Sequence, residues 1–345
     1  MNNRPNVLYL VVPCYNEAEV LPHTAEVMKD KMERLIKEKK VSAKSKIMFV
    51  DDGSRDDTWK IIYELSNQSC IFSGLSFSRN YGHQSAILAG MMASRLHADM
   101  VVTIDADLQQ DLEALDRFIE CYQNGCEIVY GIRNNRDTDT LFKKLTANAF
   151  YRFMHLLGCK VMSNHADYRL LSKRALDALA EYKEVNLFLR GLIPAMGFQS
   201  DVVYFDVKER EAGTSKYTMR KMVKLAVDGI TSMSTRPIQL ITILGFIVCL
   251  FSIGMIVYCL VDWAQGRNVP GYTTSLVISL LMGGLTLLSI GIVGEYVGKI
   301  YLEAKARPRY IVQSFIWKEN EDSVKECEGG KENDVSFRGD DNESI

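Results

Sequence analysis

Residues 7–12 read VLYLVV and residues 47–50 read IMFV, two short apolar runs that each end in polar turn residues. Between them lies a charged stretch, residues 17–40, in which Val20, Leu21, Val27, Met28, Met32, Leu35 and Ile36 recur at roughly helical spacing. The unit is strand–helix–strand, the repeat of a parallel sheet covered by helices, and it sets the fold as α/β. The pattern continues along the chain. A helix is expected over 56–66, a strand near 71–77, a helix over 84–96, a strand over 100–104, a helix over 111–124 and a strand over 127–131. Chemistry in such sheets collects beyond the carboxyl ends of the strands, where the loops converge. The polar clusters of this chain sit at those ends.

The chain has 345 residues, 47% apolar and 24% charged, with 41 Lys and Arg against 43 Asp and Glu for a net charge of −2. That balance excludes wholesale disorder and fibrous repeats, and length allows one large domain with appendages or two domains. The charge is uneven. From Lys318 onward ten acids face four bases, a net of −6, which leaves +4 for residues 1–317. No strongly basic domain is present, so a nucleic-acid binder is not expected. The tail over 318–345, acidic and poor in aromatics, is expected to be disordered. The eight cysteines form no CxxC pair or metal-ligand spacing and read as reduced thiols of a cytosolic domain. The N-terminus shows no signal-peptide pattern.

Two later runs differ in kind. Residues 237–261 (PIQLITILGFIVCLFSIGMIVYCLV) and 271–294 (GYTTSLVISLLMGGLTLLSIGIVG) carry no charge. A helix needs about 20 apolar residues to cross a bilayer core of about 30 Å, and both runs exceed that. Transmembrane helices are therefore expected over 237–261 and 271–296, joined by a short loop. Lys216, Arg220, Lys221, Lys224 and Arg236 precede the first, and Lys299, Lys305, Arg307 and Arg309 follow the second, against Arg267 alone in the loop. The positive-inside rule puts both flanks, and with them the N-terminal domain over 1–215, in the cytoplasm. A cytoplasmic juxtamembrane segment over 297–317 follows. Residues 216–236 read as a basic amphipathic helix suited to the headgroup layer.

The loops after the strands carry the chemistry. The first reads PCYNE (13–17), the second VDDGSRDDT (50–58) and the third DADLQQ (105–110). Asp105 and Asp107, two carboxylates at i and i+2 on a strand-ending turn, can converge on one hard divalent cation, with Gln109 offering another oxygen. Mg²⁺ or Mn²⁺ favours oxygen ligands and shares its coordination sphere with substrate phosphates.

Taken together, PCYNE, VDDGSRDDT, SRNYGHQSAILAG (78–90), DADLQQ and RNNR (133–136), in this order, resemble the family-2 inverting glycosyltransferases of GT-A fold, over about residues 5–220. Within that family the chain is most similar to the polyprenyl-phosphate glycosyltransferases: dolichol-phosphate mannose synthases and bacterial undecaprenyl-phosphate glucosyltransferases. Their R-x-x-G-x-S-K signature stands here as Arg210-Glu211-Ala212-Gly213-Thr214-Ser215-Lys216. The two apolar runs resemble the bactoprenol glucosyltransferase branch.

The resemblance implies a set of roles. Pro13, Tyr15 and Glu17 would line the nucleotide pocket, and Val50 and Asp52 would hold base and ribose. Asp105 and Asp107, with Gln109, would hold Mg²⁺ or Mn²⁺ on the diphosphate, and the Ala106 backbone would touch the sugar nucleotide. Arg133, Arg210 and Lys216 would complete the anion site. Asp107 counts as catalytic through the metal, and Asp167 matches an acidic position near the acceptor, as orienting group or base. Arg190 reads either as an acceptor-phosphate contact or as a helix cap, and His83 as a sugar-side or loop-shaping residue. The implied partners are a nucleotide sugar (UDP before GDP), a polyprenyl phosphate and the plasma membrane, in which the chain would be multi-pass. Homo-oligomerisation is left open. The implied reaction moves one hexose, with UDP-glucose the favoured donor, to the lipid phosphate. The alternative is a processive or hydroxyl-directed family-2 enzyme. Processive synthases carry Q-x-x-R-W, and Trp59, Trp263 and Trp317 are not preceded by that pattern.

Overall fold

The computed structural model describes residues 4–134, 165–206, 230–232, 234–265 and 271–318. They fall into two compact units: a sheet unit, to which residues 307–318 return, and a helical unit within 217–306. Arg210, Lys216, most of the expected amphipathic helix, the inter-helix loop over 266–270 and the acidic tail from residue 319 lie outside the described residues.

The sheet unit begins with β1 (Leu8–Cys14), α1 (Leu21–Lys37), β2 (Lys46–Asp51), α2 (Thr58–Gln68), β3 (Phe72–Phe77), α3 (His83–Arg95) and β4 (Met100–Thr103). It continues with α4 (Ala114–Gln123), β5 (Ile128–Arg133), β6 (His165–Ser172), α5 (Lys173–Ala180), α6 (Leu189–Ala195) and β7 (Ser200–Phe205). Among the described residues the strands form one eight-stranded sheet, ordered β7-β5-β6-β4-β1-β2-β3-β8, where β8 is Val312–Ile316. β1 pairs in parallel with β2 and β4, β2 with β3, and β5 with β7. β6 is antiparallel to both β4 and β5, and β8 is antiparallel to β3.

Strands β1 to β4 are buried on both faces, which is why they read as largely apolar runs. Leu8, Leu10 and Val12 of β1 join a core with Met28, Met32 and Leu35 of α1 and Phe118 of α4. Tyr9 and Val11 face the opposite core, with Ile87 and Met91 of α3 and Leu192 of α6. α3 lies close on the sheet at Gly90, where a Cβ would stand 2.3 Å from Val11 Cγ1. α1 starts at Leu21, later than the expected residue 17. Asn16 has a positive φ of 53°, and residues 17–20 turn before Pro22 opens the helix.

Residues 312–316, expected in a juxtamembrane segment, instead form β8 on the sheet edge. Phe77 stacks on Tyr310 and His97 on Trp317, with ring centroids 5.1 and 4.2 Å apart. Beneath them the buried Lys46 Nζ donates to the carbonyls of Cys70 and Lys318, each at 2.6 Å.

The helical unit contains α7 (Arg236–Ala264) and α8 (Tyr272–Ala304). Leu281–Ala304 is the one stretch among the described residues long and apolar enough to cross a membrane, and Arg236–Val248 is a shorter apolar stretch within α7. Phe246, Leu250, Phe251, Leu287, Leu288 and Ile290 are all exposed, an outward apolar surface that water does not favour.

Candidate active site

Four loops follow four adjacent strands; in chain order they come after β1, β2, β3 and β4, the fourth being DADLQQ. The first two are knitted together. Asn16 N–H donates to Ser54 Oγ at 2.9 Å, Arg55 N–H to Asn16 Oδ1 at 2.9 Å, and Glu17 N–H to Thr58 Oγ1 at 2.9 Å. The second loop leans on the third. Asp52 accepts from Tyr81 N–H at 2.6 Å and from Gly82 N–H at 2.9 Å, just ahead of α3. Burial raises the Asp52 carboxyl, against those two hydrogen bonds. Gly53 makes this packing feasible. Its φ is +64°, and a Cβ there would lie 2.4 Å from the Arg79 carbonyl carbon.

Register delivers the centre. Thr103 of β4 pairs with Arg169 of β6 in an antiparallel ladder, so extending it by two residues sets Asp105 opposite Asp167. His83, first residue of α3, lies between them, with Nε2 3.6 Å from Asp105 Oδ1 and 3.7 Å from Asp167 Oδ2. Asp167 is gripped from the other side. Arg190 donates from Nη2 to Oδ2 at 2.8 Å and from Nε to Oδ1 at 3.3 Å, and the fully buried Arg169 donates from Nη2 to Oδ1.

Burial pushes the Asp167 carboxyl up, but Arg169, His83 and Arg190 outweigh it and hold it well below the usual carboxylate range. Burial raises Asp105, and the charges of Asp167 and Asp107 add to that against His83 and Arg133. At His83 burial opposes the charged imidazole, yet the Asp167 hydrogen bond and the two carboxylates raise its pKa.

The other expected residues divide. Tyr15 is exposed at the loop mouth and Glu17 half-buried beside it. Arg133 ends β5, exposed, with its charge felt at Asp105. The Val50 side chain is fully buried in the core against α3, because β2 is covered on both faces. Pro13 is likewise buried in β1, and the Asp52 carboxylate is engaged by backbone N–H groups. The Ala106 carbonyl accepts from Thr24 Oγ1 of α1 at 2.7 Å. Gln109 contributes its N–H to Asp107 Oδ1 at 3.2 Å, while the neighbouring Gln110 is the glutamine bonded to Asp105.

Gln110 and Arg169 therefore stand beside these residues though sequence reasoning gave them no part, and His83, read as sugar-side or loop-shaping, faces the two carboxylates. His83 was in view inside SRNYGHQ. Arg169 lies two residues from Asp167, a spacing that puts both on one strand face.

Glycosyl transferase family 2 matches residues 9–180. A relative described as uncharacterized glycosyltransferase YkoT, from Bacillus subtilis (strain 168), is 44% identical over 319 residues, covering 92% of this chain and 95% of that protein. The chain belongs to glycosyltransferase family 2. Another relative of this family-2 enzyme, the bactoprenol glucosyl transferase of Shigella phage SfX, is 38% identical over 307 residues, covering 88% of this chain and 98% of that one. Among solved structures, Mycobacterium tuberculosis glucosyl-3-phosphoglycerate synthase, in complex with Mn²⁺, uridine diphosphate and phosphoglyceric acid, is similar at TM-score 0.44 and 16% identity, over 67% of this chain and 78% of that one. The family-2 fold is α/β of GT-A type, with a mostly parallel sheet.

Proposed function

We propose that the protein is a membrane-anchored inverting glycosyltransferase that moves one hexose from a nucleotide sugar, UDP-glucose by preference, to polyprenyl phosphate at the cytoplasmic leaflet. The observation that carries this reading is the meeting of Asp105 with Asp167, His83 and Arg190 at the carboxyl end of the sheet. The likeness to bactoprenol glucosyl transferases along nearly their whole length supports the acceptor. The exposed apolar helices, expected to span over 237–261 and 271–296, support the membrane.

The donor chemistry fits a hard divalent cation. Asp105 and Asp107 would supply oxygen ligands, and the Asp105 carboxyl, raised by burial first and by the charges of Asp167 and Asp107 after it, sits where a cation would favour its ionised form. Mg²⁺ or Mn²⁺ held there would stabilise the charge that develops on a departing nucleoside diphosphate. Arg133, with Arg210 and Lys216, would serve the same anion.

A lipid monophosphate has a second pKa of about 6 and is largely dianionic at neutral pH, so it attacks without surrendering a proton. Asp167 fits that economy. Ionised and bonded to two arginines, it is a poor proton acceptor; its part is to orient Arg190 and His83, and Arg190 meets the incoming phosphate.

The test incubates the purified full chain with undecaprenyl phosphate, Mg²⁺ or Mn²⁺ and a panel of nucleotide sugars, and reads the lipid by mass spectrometry. A hexosyl-phosphoryl-lipid is expected, from UDP-glucose first. No glycolipid from any donor overturns the reading.

A further inference from the structure

The Asp105–Asp107 loop is held from inside by a residue that nothing above uses in catalysis. Gln110 is only 2% exposed and closes a two-bond ring on Asp105. The Asp105 N–H donates to Gln110 Oε1 at 3.0 Å, and Gln110 Nε2 donates to Asp105 Oδ2 at 2.7 Å. Both ends of the amide are used, so its orientation is fixed by the pair. The consequence falls on the carboxylate. Oδ2 is occupied by an amide donor, and Oδ1 is the oxygen turned toward His83.

The rest of the loop is fixed just as locally. Thr24 Oγ1 holds the Ala106 carbonyl, the Gln109 N–H holds Asp107 Oδ1, and Leu108 takes a left-handed φ of 53° to bring Gln110 back beneath Asp105. A neutral carboxamide suits this position. It both accepts and donates, whereas an apolar side chain of equal length would leave the Asp105 N–H and Oδ2 without those partners.

We infer that Gln110 is a positioning residue that presents a single oxygen of Asp105, Oδ1, to the divalent cation of the donor diphosphate. This rests on the reading of Asp105 as a metal ligand. Outer-shell partners that orient a ligating carboxylate change metal affinity by about 10–100-fold when removed. Gln110 therefore acts on metal affinity first and on sugar transfer through it.

The test compares wild type, Gln110→Met and Asp105→Asn as full chains, with Mn²⁺ binding in the presence of UDP followed by electron paramagnetic resonance and folding followed by Tm. Gln110→Met is expected to weaken Mn²⁺ binding by about tenfold or more, with the Mn²⁺ concentration for half-maximal activity rising in parallel and kcat at saturating Mn²⁺ nearly restored. If Gln110→Met does not fold, Gln110→Asn takes its place: it keeps a polar group but is one methylene too short to hold both bonds. Mn²⁺ affinity within twofold of wild type in a folded variant overturns the positioning role. A wild-type chain that binds no Mn²⁺, or an Asp105→Asn chain that binds it unchanged, overturns the metal assignment beneath it and the role with it.

Discussion

At the scale of single residues, the site is built from close approaches that tolerate little substitution. Gly53 lies where the second loop touches the backbone of the third, so Gly53→Ala meets both a left-handed φ and the Arg79 main chain. The expected loss is about 1–3 kcal/mol, read as a fall in Tm, with weaker nucleotide-sugar binding because Tyr81 and Gly82 shift with the loop. Asp167 carries a different burden. Asp167→Asn removes the charge facing the fully buried Arg169, and leaving a buried ion unpaired costs about 3–5 kcal/mol. Adding Arg169→Met to Asp167→Asn is expected to recover part of that stability, since the orphaned cation leaves with its partner. With Arg169→Met alone completing the cycle, a double variant whose loss equals the sum of the two single losses would show that the pair is not coupled. These residues also mark where sequence reading stopped. Asp105 and Asp107 announced themselves by spacing, but Asp167 is 62 positions from Asp105 and meets it only through the β4–β6 register. His83 and Arg190 gain their parts from the same meeting, which no local pattern encodes.

At the scale of elements, strands whose burial is matched by a continuous apolar run were legible, and β6, β7 and β8 were not. β1 to β5 and α1 to α4 follow the apolar runs and helical spacing closely, because continuous burial writes itself into sequence. β6 mixes Asp167 and Arg169 with apolar residues, β7 is half exposed, and β8 has only Val312 buried, so none of them shows a clear run. β8 is nevertheless anchored through Lys46. Burial lowers the Lys46 pKa from 10.5 to about 8. Between those values the unfolded chain binds the proton and the folded chain does not, so this group makes stability rise with pH across the window. Lys46→Met has no such titration. The stability gap in favour of wild type is therefore expected to widen from pH 8 to pH 10, on the order of 2 kcal/mol, measured by chemical denaturation at each pH. A flat or narrowing gap would mean that Lys46 keeps its proton beneath β8.

At the scale of the whole molecule, the chain leaves the sheet unit, passes through the helices α7 and α8, and returns to complete the sheet with β8. Cutting the chain after Arg236 thus removes the anchor and the edge strand together, and it exposes the flank of β3 that Phe315 and Tyr310 cover. Such a truncation confounds anchoring with folding. Replacing residues 237–306 by a flexible Gly/Ser linker, with β8 retained, separates them. If the helices serve only to hold the enzyme at the bilayer, this chimera keeps the Tm of the sheet unit and transfers sugar to a short-chain, water-soluble prenyl phosphate at close to the full-chain rate. On undecaprenyl phosphate in vesicles it falls by about 10²-fold, because membrane residence raises the effective concentration of the acceptor. The truncated chain loses both activities and melts earlier. A chimera with an intact Tm that also fails on the soluble acceptor would instead assign the helical unit a part in the acceptor site itself, since concentration no longer limits that reaction.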